Sequence, residues 1–184
     1  MAAIQNMVIS LGAMQVARKI PFEDPQVLTW ARIGYITAQA IILGVYYYVS
    51  SIIKKKNDQT VLKYVDAPSP MSGETTGKLV VTTVRDYDLA EISKALRGVF
   101  ISLGFMVFLH GYMKYTQPLF MQSLMGLKGV YDSQLVGIHL LGQKAPERPF
   151  KAAPGPFGMP TAGPQTDAAA IAAAEKNVDT KKDQ

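Results

Sequence analysis

Cysteine is absent from this 184-residue chain, tryptophan occurs once and histidine twice. Without thiols there is neither a disulfide framework nor a thiolate metal site, though the compartment stays open. His110 and His139 lie too far apart, in segments too unlike, to hold zinc between them. No Gly-x-Ser-x-Gly elbow occurs, and no histidine stands in a pattern that would activate a nucleophile. Gly73–Lys78 (GETTGK) comes nearest to a phosphate-binding loop. It has three residues between its glycines where the loop needs four, and Leu79 where a hydroxyl must reach magnesium. Asp86, Asp88 and Glu91 have a simpler reading as a helix start, where the helix dipole favours acid. The expectation is a protein that is not an enzyme and carries no cofactor or metal. A broad basic face is missing too. The net charge is +5, and only Lys54, Lys55 and Lys56 form a purely basic run, which sets nucleic-acid binding aside.

What the chain has in quantity is apolar sequence, gathered in blocks at 2–17, 27–53 and 98–116. Arg32 is the single charge from Val27 to Ile53, and none occurs after it. About twenty such residues at 1.5 Å each match a hydrocarbon core of about 30 Å. Trp30 and Tyr46–Tyr48 sit where interfacial aromatic belts belong. The N-terminal block has its basic residues, Arg18 and Lys19, at the wrong end for a cleavable signal, so it reads as retained.

The fold class expected is an all-α membrane protein with two or three transmembrane helices. Helices fall at about 2–17, 25–53, 88–116 and 118–130 within a membrane domain over 1–144. The polar connector 54–87 carries a possible β-hairpin from Thr60–Val65 and Leu79–Val84, on either side of a Pro/Ser/Gly-rich turn region. Asp88 with Glu91 reads as the capping box that opens the third helix. Residues 118–130 read as an amphipathic helix lying in the interface, and 131–142 as a short apolar segment of open form. The Pro/Gly/Ala-rich stretch 145–184 reads as a disordered tail. The triple lysine beside a span places 54–97 in the cytosol by the positive-inside rule.

Polar groups on these helices recur at helical spacing. Ala3, Asn6, Ser10, Ala13 and Ala17 share one stripe, suited to close approach of another helix or to lining a wet groove. Arg32 and Gln39 share a face, with Arg32 either snorkelling to the interface or making a functional contact. Ser102, Met106, His110 and Met113 share another. Methionine packs adaptably against many partners, and the chain has nine. Two functions from different classes follow. A transporter would need more spans, internal repeats and several intramembrane cations. A module that receives hydrophobic segments of other proteins needs a groove with scattered polar groups, for which Asn6, Ser10, Arg32, Gln39, Ser102, Met106, His110 and Met113 are the candidates. Lys54, Lys55 and Lys56 are the candidates for a partner contact.

The strings KYV (Lys63–Val65), MSGE (Met71–Glu74), TTVRDYDL (Thr82–Leu89), KYTQPLFMQS (Lys114–Ser123) and RPFKA (Arg148–Ala152) resemble those of a fungal endoplasmic-reticulum membrane family. That family is described both as inorganic phosphate transport proteins and as a component of the SRP-independent (SND) targeting pathway. The resemblance spans most of residues 1–155, and Gln117 departs from the Asn of the family. It implies a multi-pass resident of the endoplasmic reticulum membrane that aids targeting and insertion of membrane proteins as a translocon-associated insertase or insertion chaperone. The partners implied are the Sec61 translocon, the ribosome, other SND components, hydrophobic client segments and the lipid bilayer. The alternative is a subunit or maturation factor of a phosphate transport system.

Overall fold

The computed structural model describes residues 2–66, 77–146 and 148–150, with the separate positions 164, 166, 167, 171, 172 and 174. The side chains of Ala2, Ala3, Gln5 and Asn6 lie outside that set, as do the turn region 67–76 and most of the stretch expected to be a tail. In chain order the elements are α1 (Ala2–Lys19), α2 (Pro25–Lys56), β1 (Val61–Asp66), β2 (Lys78–Thr83), α3 (Val84–Met106), a π-helical continuation (Val107–Tyr112), α4 (Gln117–Tyr131) and α5 (Gln134–His139). They divide into two units, Met1–Ile52 with Glu91–Gln143, and Ile53–Ala90 with Lys144–Gln184. Two helices, Pro25–Lys56 and Val84–Tyr112, are long and apolar enough to cross a membrane.

In the first unit, Tyr35, Ala38, Ile42, Tyr46 and Val49 are buried. They recur every three or four positions, one face of a helix. Ile33, Ile36, Ile41, Tyr47 and Tyr48 on other faces of α2 are exposed. Contacts along the buried face give the helix directions. Tyr35 packs with Met106, Leu103 and Leu119. A Cβ at Gly126 would lie 2.9 Å from Ile42 Cδ1, so glycine there lets α4 close on α2. Farther along, the Tyr46 side chain is hydrogen-bonded to Ser133. The order 35, 42, 46 on α2 against 119, 126, 133 makes α4 run parallel to α2. Ser102 with Gln122 and Met106 with Leu119 make it antiparallel to α3. On α1, Ala13 and Ala17 are buried, and the Ser10 hydroxyl lies 3.6 Å from Met125 Sδ of α4. Ser10, Ala13 and Ala17 of the small-residue stripe lie on the side of α1 that packs with α4.

One expectation needs correction here. The helix expected at 118–130 is α4, which packs on α1 and against Tyr35 and Ile42 of α2. Gln122, Ser123, Gly126 and Gly129 lower its apolar content, yet small residues are what allow membrane helices to pack closely. The single helix expected over 88–116 changes to π geometry at Val107 and ends at Tyr112. The segment 131–142 contains α5.

The second unit is built on the hairpin, whose antiparallel register runs from Val61↔Thr83 to Asp66↔Lys78. Asn57, with φ 47°, ends α2, a left-handed position that asparagine tolerates. Asp58 then turns the chain. Hydrogen bonds from the Thr60 hydroxyl, and next from its backbone N–H, hold the Asp58 carboxyl below its ordinary pKa. The start of α3 also corrects the sequence reading. Thr83, not Asp88, caps it: its Oγ1 accepts from Asp86 N–H at 3.2 Å. The first helical N–H groups, of Val84 and Arg85, go to the carbonyls of Thr60 and Asp58 at 2.9 and 3.0 Å. Glu91 pairs with Lys94 on the surface. Asp88 points inward and is 1% exposed, where Arg148 meets it with Nε at 2.7 Å and Nη2 at 2.8 Å. Phe150 completes the contact. Its N–H donates to the Tyr87 hydroxyl at 2.8 Å, and its ring stands edge-on to Tyr87, which itself stands edge-on to Tyr64.

Candidate functional site

A cleft of about 290 Å³ opens between α2, α3 and α4 in the first unit. Each helix supplies one uncharged polar side chain: Gln39, Ser102 and Gln122. Gln39 follows Ala38 at the edge of the buried face of α2, which turns its carboxamide toward α3 and α4. Gln122 Nε2 donates to the Ser102 carbonyl at 3.3 Å and also to the Ser102 hydroxyl. Its Oε1 is buried and, among the described residues, receives no hydrogen bond. Gln39, 7% exposed, lines the same cleft. A buried amide without a partner costs on the order of 1–3 kcal/mol. Gln122 Oε1 is thus a buried acceptor at the cleft that is unmet among the described residues.

The rest of the lining is apolar or small, with Ile42, Tyr46 and Val130 beside Gly98, Gly126 and Gly129. No Lys, Arg, Asp or Glu lines the cleft among the described residues. It can accept and donate hydrogen bonds but has no countercharge for an ion.

A second polar contact joins α2 to the π-helical segment. Arg32 Nε–H donates to His110 Nε2 at 3.0 Å, while His110 Nδ1 lies 3.0 Å from the Tyr115 carbonyl. Since Nε2 accepts, the ring proton must sit on Nδ1 and point at that carbonyl, which fixes the tautomer. The wider turn of the π-helix sets this geometry. Met113 N–H reaches back to Phe108 O and Tyr115 N–H to Leu109 O. A π-helical turn inside an α-helix often marks a functional position.

Of the residues singled out from the sequence, the cleft gathers Gln39 and Ser102, and the π-helical contact gathers Arg32 and His110. Ser10 instead meets Met125, and Met106 is 4% exposed in the core beside Tyr35 and Leu119. Met113 is exposed beyond the end of the π-helix. The side chain of Asn6 is outside the described residues. Lys54, Lys55 and Lys56 are exposed on the last turn of α2. The residue that sequence reasoning missed is Gln122. Its signal was a stripe, Gln122, Gly126 and Gly129 at spacings of four and three, on a helix read as amphipathic.

A family model described as phosphate transport (Pho88) matches residues 1–182. The chain is 44% identical over 177 residues to a Saccharomyces cerevisiae protein named SRP-independent targeting protein 3, covering 94% of this chain and 93% of that one. A Schizosaccharomyces pombe protein named SRP-independent targeting protein 3 homolog is 40% identical over 153 residues, covering 82% of this chain and 79% of that one. No solved structure matches the chain.

Proposed function

This chain belongs to the phosphate-transport (Pho88) family, and on that premise we propose that it is a membrane protein of SRP-independent targeting that helps client segments insert at the endoplasmic reticulum. The relatives' names supply the pathway. Burial supports the membrane. Only 33% of the apolar window of α2 and 11% of that of α3 is buried within the protein. Ile36, Ile101, Phe105 and Val107 are each at least 60% exposed. In water so many large apolar side chains would stand exposed at a cost that acyl chains remove. The helices, of 32 and 29 residues, would reach about 48 and 44 Å at 1.5 Å per residue, enough to cross with turns to spare.

The observation that carries the insertion role is the cleft. Polar side chains inside an apolar bundle, with Gln122 Oε1 unmet among the described residues, lower the cost of bringing a client's polar flank into hydrocarbon, where an unpaired polar group costs several kcal/mol. A direct phosphate path is less well supported, because the lining holds no cation to balance the anion. On this reading the family's description reflects the maturation of a phosphate carrier, one client among others. The test is site-specific photocrosslinking from Gln39, Ser102 and Gln122 to a nascent transmembrane segment, with Asn6, Arg32 and Gln39 replaced together by leucine as the functional arm. Crosslinks from these positions and slowed insertion with unchanged protein level are expected. Crosslinks confined to lipid-facing positions such as Ile36 and Ile41 would reject the role.

Lys54, Lys55 and Lys56 are the proposed contact with ribosome-bound translocons on the cytosolic face. Lysine–phosphate contacts weaken steeply with salt. Changing all three to glutamate is expected to abolish co-sedimentation with ribosome–Sec61 complexes at moderate salt while membrane residence persists. Unchanged co-sedimentation would leave the lysines as topology signals alone.

A further inference from the structure

We infer that the cleft between α2, α3 and α4 selects clients that carry one uncharged hydrogen-bonding side chain (Ser, Thr, Asn or Gln) within an apolar helix, and gives no help to charged ones. The inference rests on the insertion role proposed above and adds the chemistry of what is held.

The inventory of free hydrogen-bonding capacity gives the selectivity. Gln122 Oε1 is buried and needs a donor. Ser102 Oγ accepts from Gln122, which leaves its own O–H to donate. Gln39, a residue 7% exposed, lines the cleft with a carboxamide that carries both donors and an acceptor. A carboxamide, with two N–H donors and an accepting oxygen, can meet all of these groups, and a hydroxyl, with one donor, can meet Gln122 Oε1 while accepting from another. An ammonium would find acceptors but no carboxylate, and a carboxylate would find Gln122 Oε1 facing it with no cation near. An ion buried without a partner is far more costly than a neutral polar group. A wholly apolar client would leave both amides as they are.

The walls are shaped for such a guest. A Cβ added at Gly98 or Gly129 would meet no atom within 4 Å, so these glycines line open space with bare backbone. Gly126 differs: its missing Cβ makes room for Ile42, a packing role. Bare backbone lets a client helix approach closely, as small residues do at membrane helix interfaces. The volume of about 290 Å³ suits a side chain and part of one helical turn, not a whole helix.

The test compares three clients, a polyleucine segment and the same segment with a central glutamine or a central lysine. Insertion is followed in microsomes that carry the full-length protein, and in microsomes without it. The wild-type protein is expected to speed the glutamine client more than the leucine client by on the order of tenfold, the kinetic equivalent of one interhelical hydrogen bond. The lysine client gains nothing. Gly129→Leu, which fills the cleft from a position with free space, should remove the glutamine advantage; Gly129→Ala should keep it. Gln39→Leu with Gln122→Leu removes it chemically, which covers the case in which Gly129→Leu does not fold. Equal acceleration of glutamine and lysine clients, or equal loss for leucine and glutamine clients in these variants, would overturn the selectivity while leaving the insertion role standing. No acceleration of any client by the wild-type protein would remove both.

Discussion

Asp88→Ala is expected to destabilise the unit built on the hairpin by about 3–5 kcal/mol, the cost of leaving a buried charge without its partner. Arg148 is 12% exposed and meets both carboxylate oxygens of Asp88, itself 1% exposed. Removing the carboxylate strands a guanidinium that also lies 5.6 Å over the Phe150 ring. Arg148, Pro149 and Phe150 should then leave the hairpin. The measurement is limited proteolysis of the full chain in mild detergent, where cleavage near residue 148 should become fast in the variant and stay slow in the wild type. Replacing both partners, Asp88→Leu with Arg148→Met, removes both charges and should recover most of the protection. If Asp88→Ala leaves the segment as protected as before, the ion pair is not what holds it.

The largest expected effect concerns topology and is all-or-none. Within the first unit α4 runs parallel to α2 and antiparallel to α3, as the pairs Tyr35–Leu119, Ile42–Gly126 and Tyr46–Ser133 require. If α2 and α3 cross the bilayer in opposite senses, the chain crosses again through α4 and α5. Arg148 then returns to the side on which α3 starts, where its ion pair with Asp88 is made. Because the chain has no cysteine of its own, single cysteines can report sidedness directly. In sealed microsomes with the cytosolic face outward, cysteines at Ser72 and Lys144 should react with a membrane-impermeant maleimide. One at Lys114 should react only after permeabilisation. Labelling of Lys144 only after permeabilisation would mean that the third crossing is absent. Labelling of Ser72 only after permeabilisation would reverse the whole orientation read from Lys54–Lys56.

Several features were legible because they depend on local sequence. A run with no charge from Ile33 to Ile53 can only be a long apolar helix, and the triple lysine followed by Asn57 ends it. β-Prone runs on either side of a turn-rich stretch gave the hairpin to within a residue or two. Arg32, Gln39, Ser102 and His110 announced themselves as polar groups at helical spacing in apolar surroundings. Which of them meet was beyond periodicity. Arg32 and His110 are separated by 78 positions, Asp88 and Arg148 by 60. Nothing in a 3.6-residue repeat records such a pairing.

By itself, then, the sequence determined the apolarity of α2 and α3, the length of α2 to within a turn, the hairpin, and the scarcity of chemistry-bearing groups. Each follows from hydropathy, turn propensity or composition, which act over a few residues at a time. Tertiary structure alone decided which face of α2 is buried, because α2 is apolar all round and only contact with α3 and α4 distinguishes Tyr35, Ala38 and Ile42 from Ile33, Ile36 and Ile41. It decided that Met106 fills the core, that Thr83 rather than Asp88 opens α3, and that Gln122 faces Gln39 and Ser102. The physical reason is common to all of these. Inside an apolar bundle the choice between equivalent faces is made by close packing and by pairing buried polar groups, and both need the neighbouring helix in place.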